Sequence, residues 1–256
     1  MNSSPVKPWQ WSLAFVALFA AYQAPQGLGM QNLMLAVVPL AWLLARLLGF
    51  KGMDAWYLSF SPRWFAGLLG TFLFAMAVKF GAIAAGAALD VYRVSPAAGA
   101  GVGGVPVAAL LILLPFTFIP SISEDILTRG FVARALPRLA ANWLIVPISA
   151  AVYVLNHIYR LANGPLEWIT LFAFGVAYAA ALYRTGSLWP AVGLHWGWNF
   201  ANGVLDRLFD VEVVSTVGAP LVSVAAHVLM LAVVLGATQS AAVKEHFKLS
   251  GRRSTP

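Results

Sequence analysis

The sequence predicts an all-α fold, a polytopic membrane helix bundle of about eight transmembrane helices with both termini in the cytoplasm. Three observations carry that expectation. Of 256 residues, 61% are hydrophobic and 10% charged, whereas soluble chains run near one quarter charged. The mean hydropathy of +0.80 belongs to the whole chain rather than to one core, so hydrocarbon is the expected solvent. Basic residues are unevenly placed: twelve of the sixteen fall in alternate segments assigned to the cytoplasm, as the positive-inside rule expects. Arg93, Arg160 and Arg207 fall on the other side, and Lys79 lies within a span.

The +7 charge therefore reflects topology and not a nucleic-acid partner. The chain has no cysteine, which excludes disulfides, thiolate metal sites, S-acyl anchors and a cysteine nucleophile. Compartment is left open by that absence.

A crossing needs about 20 mostly apolar residues. Such stretches lie near 9–29, 31–48, 64–88, 106–127, 144–161, 166–184, 188–206 and 217–238. The first is strongly apolar from Trp11 to Tyr22 and is then interrupted by Gln23, Pro25 and Gln26. A cleaved signal peptide is the competing reading there, and a lone preceding lysine, Lys7, argues against it. The longest loops are Gly49–Arg63 and Asp90–Val105. The tract from Pro96 to Gly104 reads as a mobile external loop, and the basic tail after His246 as a disordered segment within reach of anionic head groups. No internal repeat of the kind that builds two-half transporters stands out. The chain divides into N-terminal spans (1–104), a core (105–205), and a last span with its tail (206–256).

Charged groups inside hydrocarbon cost roughly 2.5–3.5 kcal/mol each on insertion scales, so each needs a reason. The densest polar cluster is Ser123-Glu124-Asp125-Ile126-Leu127-Thr128-Arg129-Gly130. On a helix Asp125 and Arg129 share a face, which predicts an ion pair that leaves Glu124 pointing elsewhere. A charged helix end at the membrane surface would account for this cluster taken alone. Asn156-His157 is the second polar entry, with Tyr153 one turn before the histidine. His195 and Asn199, four apart, are the third. Singly, a buried His or Asn is ordinary interhelical glue. Together they are less so, because the chain has only four histidines.

Depth depends on where the cytoplasmic boundary falls: at Arg129, Asn142 and Ser187 it would set Glu124 near the inside and His157 near the outside, and the preferred boundary brings them level. With boundaries near Arg134, Pro147 and Ser187, a rise of about 1.5 Å per residue puts Glu124 and His157 ~15 Å deep and His195 ~12 Å deep. Arg129 is then inside the membrane with Asp125 as its necessary partner, and Pro137–Trp143 is an interfacial elbow.

At these residues the sequence resembles the CPBP family of CAAX proteases and bacteriocin-processing enzymes (ABI). These are glutamic intramembrane endopeptidases that include the type II CAAX prenyl endopeptidases. The family's Glu-Glu-x-x-x-Arg-Gly is similar to Glu124-Asp125-Ile126-Leu127-Thr128-Arg129-Gly130, with aspartate replacing the second glutamate. Its Phe-x-x-x-His is similar to Tyr153-Val154-Leu155-Asn156-His157, and its His-x-x-x-Asn matches His195-Trp196-Gly197-Trp198-Asn199. Arg184-Thr185-Gly186-Ser187 also looks familiar. The resemblance covers residues 105–205.

The resemblance implies an intramembrane endopeptidase in which Glu124 is the general base. His157 would hold the attacking water and relay a proton, while His195 and Asn199 would donate to the oxyanion. Asp125, Arg129 and Tyr153 would support them. It also implies no cofactor; the alternative is a zinc-like set of Glu124, His157 and His195, against which no His-Glu-x-x-His occurs. The expected partners are the lipid bilayer and a peptide or membrane-protein substrate, cut near a terminus, in the plasma membrane of a prokaryotic cell. Oligomeric state is not legible. A non-catalytic immunity or scaffold protein that binds a peptide is the rival reading, and a proton-coupled transporter a weaker one. Serine and aspartate intramembrane proteases fit badly, since neither Gly-x-Ser-Gly nor Gly-x-Gly-Asp occurs. His227 reads as interhelical packing or a pore-side hydrogen bond. Lys79 reads as a snorkelling residue deep enough to need a partner.

Overall fold

Proline and glycine punctuate the chain, and helices occupy almost everything between them. A computed structural model describes residues 6–97 and 107–237; the tract beyond Ala97 and the basic tail, both expected to be mobile, lie outside the described residues. Helix α1 (Pro8–Gly27) starts with proline at its first position, where a missing N–H is harmless. A 3₁₀ segment, Gln31–Ala36, leads into α2 (Val37–Leu47). Gly49, at φ +85°, then reverses the chain while Phe50 N–H donates back to Ala45 at 2.8 Å.

The following loop is not a surface loop. Its 3₁₀ turn, Gly52–Trp56, carries Trp56, Tyr57 and Leu58 into the core. Trp56 is fully buried, donates to Ala41 O at 2.9 Å and stacks on Phe131 at 5.7 Å.

Helix α3 (Trp64–Ala88) runs along α9 (Trp189–Leu208). The approach is close because α9 turns Gly193 and Gly197 toward it. A Cβ at Gly197 would stand 2.9 Å from Phe72 Cα, and one at Gly193 would strike Thr71 and the Leu68 carbonyl. Small residues one turn apart let backbones approach in this way. His195 and Asn199 lie on the opposite side of α9, against α4 (Val107–Asp125).

The span expected to end near residue 127 continues. From α4 the chain passes through a π-helical turn, Ile126–Phe131, into α5 (Val132–Ala135), so the apolar helix runs from Val107 to Ala135. The wider turn disturbs the α-helical hydrogen-bond ladder, and nearby hydroxyls take up carbonyls: Thr128 Oγ1 donates to Glu124 O and Ser149 Oγ to Thr128 O, both at 2.8 Å. Such turns inside α-helices occur frequently at functional sites. The elbow is formed by α6 (Pro137–Ala140) and the turns after it.

A second departure concerns the span expected over 144–161. Helix α7 (Ile145–Asn156) has 12 residues, about 18 Å of helix and short of a crossing. His157 ends it as the C-cap, and a 3₁₀ segment, Ile158–Asn163, follows. Gly164, at φ +89°, then starts α8 (Pro165–Thr185). Helix α8 meets α7 where Gly175 lies on Ala150; a Cβ there would be 2.7 Å from Ala150 Cα. The last helix, α10 (Gly218–Ala237), packs on α8.

The fold also contains strands, which an all-α expectation omits. Within the loop after α3, β1 (Tyr92–Pro96) pairs antiparallel with β2 (Phe209–Val213), Val94 opposite Val211. Alternation there is too short to have signalled a ribbon.

Among the described residues, four helices are long and apolar enough to cross a bilayer: Trp64–Ala88, Val107–Ala135, Pro165–Thr185 and Gly218–Ala237. Their outer faces expose side chains such as Leu73, Leu111, Phe116, Leu221 and Val228, a surface suited to hydrocarbon. This is an integral membrane protein. Helices α1 and α9, 20 residues each, fall short of the same apolarity because α1 carries Gln10, Gln23 and Gln26 and α9 carries His195, Asn199, Asn202, Asp206 and Arg207.

The α3–α9 contact yields a prediction. Gly197→Ala should destabilise the protein by about 1–3 kcal/mol through overpacking, whereas Gly70→Ala, with nothing within 4 Å of the added carbon, should be neutral or slightly stabilising. Thermal unfolding in one detergent checks the pair.

Candidate active site

Because α4, the C-terminal end of α7 and α9 bring polar residues to one region, packing them together buries Glu124, Asp125 and His195 and half-buries His157. Glu124 is 3% exposed and receives a hydrogen bond on Oε1 from Asn156 Nδ2 at 2.8 Å. His157 Nδ1 stands 3.5 Å from the same oxygen, and His195 Nε2 is 3.6 Å from Oε2. Residues 33 and 71 positions away in the chain thus face the two oxygens of one carboxylate.

Hydrogen bonds to neighbours assign the ring nitrogens. His157 Nδ1 lies 2.8 Å from Tyr153 O, which only accepts, so Nδ1 carries the proton and Nε2 is left to act. His195 Nδ1 lies 3.1 Å from Asp125 Oδ1. That carboxylate orients the ring with Nε2 toward Glu124. Asp125 has a second duty, since Arg129 Nη1 donates to the same Oδ1. The predicted i,i+4 pair is present despite the π turn, and it also anchors the imidazole.

Asp125 and Arg129 are both fully buried. The guanidinium lies over Tyr153 at 4.6 Å and Tyr178 at 5.0 Å, and aromatic faces stabilise a desolvated cation. Thr128 Oγ1 accepts a further bond from Nη1 at 3.0 Å. Gly130 allows Trp56 to close the far side, since a Cβ there would meet Trp56 O at 3.0 Å. Tyr153, where the family pattern has phenylalanine, keeps the aromatic role and sets its ring 4.5 Å from that of His157.

Asn199 is placed differently. It lies one turn along α9 from His195, half-buried, with Nδ2 donating to Ser121 Oγ at 3.1 Å. The structure therefore brings Glu124, Asp125, Arg129, Tyr153, His157 and His195 together and sets Asn199 beside them. Among the described residues no group of three His, Asp or Glu forms a metal-holding arrangement.

Sequence reasoning missed Tyr22, whose buried hydroxyl meets the Glu124 carboxylate, and three further contributors. Gln23, which looked like a flaw in the first span, is buried and donates to Asn156 Oδ1 at 2.8 Å and to Asn156 O at 2.5 Å. It fixes the amide that holds Glu124. Asn156 itself was noticed but given no role. Tyr178 on α8 lies face to face with His195, ring centres 5.2 Å apart. The signal for Gln23 was available: a buried glutamine in an apolar helix needs a partner. Lys79 finds its partner in Trp198, 4.6 Å from the ring centre.

Removing one member of the buried pair leaves the other uncompensated, which typically costs about 3–5 kcal/mol. Arg129→Met should lower stability by that order, and Asp125→Asn/Arg129→Met should recover part of the loss. Chemical unfolding of the three proteins measures it.

Two comparisons with known proteins bear on the site. Residues 106–201 match the family model described as type II CAAX prenyl endopeptidase Rce1-like, a family of membrane proteases. No curated protein matches the chain.

Proposed function

We propose that this chain, whose residues 106–201 carry the type II CAAX prenyl endopeptidase Rce1-like domain, is an intramembrane endopeptidase that uses a glutamate-activated water. The observation that carries the reading is the meeting of Glu124, His157 and His195 within 3.6 Å across separate elements in an apolar interior.

Asn156 holds Oε1, so Oε2 takes a proton from a water while the resulting hydroxide attacks the scissile carbonyl carbon. The C=O electron pair moves to oxygen. His195, as imidazolium, donates from Nε2 to that oxyanion, and Asn199 adds a second N–H where the substrate reaches it. Collapse breaks the C–N bond, and the proton held by Glu124 passes directly to the amine, while His157 Nε2 accepts a hydrogen bond from the departing nitrogen. With Glu124 and Asp125 ionised, Arg129 and one imidazolium leave the buried cluster neutral. No metal takes part in any step.

The substrate class is a peptide segment near the terminus of a membrane-associated protein, prenylated or not, in a prokaryotic plasma membrane. Both chain termini are cytoplasmic in this reading, and the β1–β2 ribbon lies outside.

Glu124→Gln should lower turnover by about 10²–10⁴-fold, the usual worth of a general base, with thermal stability retained. The assay is cleavage of fluorogenic CAAX peptides with and without a prenyl group, followed by peptidomics of cells carrying each form. Retained cleavage would overturn Glu124 as the base, and a cellular effect untouched by the substitution would return the protein to the class of binders. A strong chelator should leave the purified enzyme active, whereas loss restored by zinc would overturn the metal-free step. For orientation, Ser95→Cys supplies the sole thiol of a cysteine-free chain. A membrane-impermeant maleimide should label it in intact cells.

A further inference from the structure

Helix α10 lies wholly beyond the matched segment, yet it sends one polar side chain to the site's edge. Between Gly218 and Ala237 it is apolar except for Ser223 and His227, and His227 is fully buried. A buried imidazole in a hydrocarbon-spanning helix needs partners. Its Nδ1 lies 2.8 Å from Ser223 O, one turn earlier. A carbonyl only accepts, so Nδ1 carries the proton. Nε2 faces the Tyr178 hydroxyl at 2.9 Å. Among the described residues no carboxylate is in contact to sustain a charged ring, so the imidazole is neutral and Tyr178 donates to it. Phe174 stacks on the imidazole at 3.5 Å and Trp198 closes it edge-on at 4.4 Å. Position and tautomer are both fixed.

Tyr178 carries that constraint inward. One ring is held at its hydroxyl by α10 and at its face by two members of the site. It is parallel to His195 within 20°, and the Arg129 guanidinium lies 5.0 Å from its centre. A phenol free to rotate about χ1 and χ2 would not define the plane of the imidazole against it. A phenol tied at its far end does. His195 meets Asp125 Oδ1 at Nδ1 and faces Glu124 Oε2 from Nε2 at 3.6 Å; these contacts address the ring's edge, and its face is left to Tyr178.

We propose that Tyr178 and His227 are positioning residues, a tether from the last helix that sets the tilt of His195 and hence the aim of Nε2. Neither touches the reacting atoms. The proposal rests on the peptidase reading only for its kinetic consequence; the ring geometry stands apart from it.

The test compares wild type, Tyr178→Phe, His227→Leu and the double variant in nanodiscs. Each is assayed per folded molecule on the peptide that wild type cuts. Ring signals of His195 are recorded in parallel from ¹⁵N-histidine-labelled protein, with four histidines assignable by single substitutions. His227→Leu strands the buried hydroxyl and should lower kcat about tenfold with KM within about twofold, because misaim costs transition-state rather than ground-state binding. Tyr178→Phe keeps the stack and should lose about threefold. The double variant, which strands no hydroxyl, should recover to near that value. The His195 signals should move in both single variants.

Unchanged kcat per folded molecule, with His195 signals unmoved in both single variants, would overturn the proposal. If His227→Leu does not fold, Tyr178→Phe decides on the same two readouts. If wild type cuts nothing but the His195 signals still move, the tether stands and the hydrolytic reading falls.

Discussion

One carboxylate oxygen organises this site. Asp125 Oδ1 accepts from Arg129 Nη1 and from His195 Nδ1, joining the two charged residues of α4 to the histidine of α9. The side chains of Arg129 and His195 both depend on that junction. Without it the guanidinium, fully buried beneath two tyrosines, would be an uncompensated charge. Without it the His195 ring would lose both its counter-charge and the contact that anchors Nδ1. A buried pair of this kind is weak evidence for stability, and its value here lies in where it aims His195. The one-methylene difference from the glutamate of the family pattern does no harm, because Asp125 still reaches both partners from its place before the π turn.

Bringing four polar segments into an apolar bundle requires backbones to come closer than ordinary side chains allow. Gly193 and Gly197 admit α3 against α9, Gly175 admits α7 against α8, and Gly130 admits the Trp56 turn. These contacts leave the other face of each helix to carry function. On α9 the division is plain: glycines toward α3, His195 and Asn199 toward α4. Insertion of α1, α7 and α9 is made costly by their polar residues, and the four long apolar helices supply the hydrophobic surplus that holds them.

Much of this was legible from the chain. Apolar stretches marked where helices would lie, and the spacing of Asp125 and Arg129 announced their pairing. Three isolated polar entries at compatible depth pointed to a shared site. Other features were hidden for physical reasons. A π turn has no hydrophobic period of its own, so Ile126–Phe131 read as ordinary helix. Leu155 and Ile158 are as apolar as any span, and the break at His157 comes from a backbone angle that no local residue type demands. Contacts such as Gln23 with Asn156, 133 residues apart, depend on packing that no local pattern encodes. Gln23 looked like damage to a span because its partner lay in another helix. The histidine of α10 reads from sequence as interhelical packing or a pore-side hydrogen bond, and the structure shows it packed and hydrogen-bonded against α8; Tyr178 carries no charge to draw attention to it.

The central claim is that Glu124, His157 and His195 surround one reacting centre inside the bundle. An experimental structure with a non-hydrolysable peptide analogue bound tests it most directly. The account predicts the analogue's tetrahedral group lying between the Glu124 carboxylate and His195 Nε2, within hydrogen-bonding reach of both, with His157 beside the departing nitrogen. An analogue seated elsewhere, or these three side chains turned to lipid and separated by a helix diameter of about 10 Å, would contradict it.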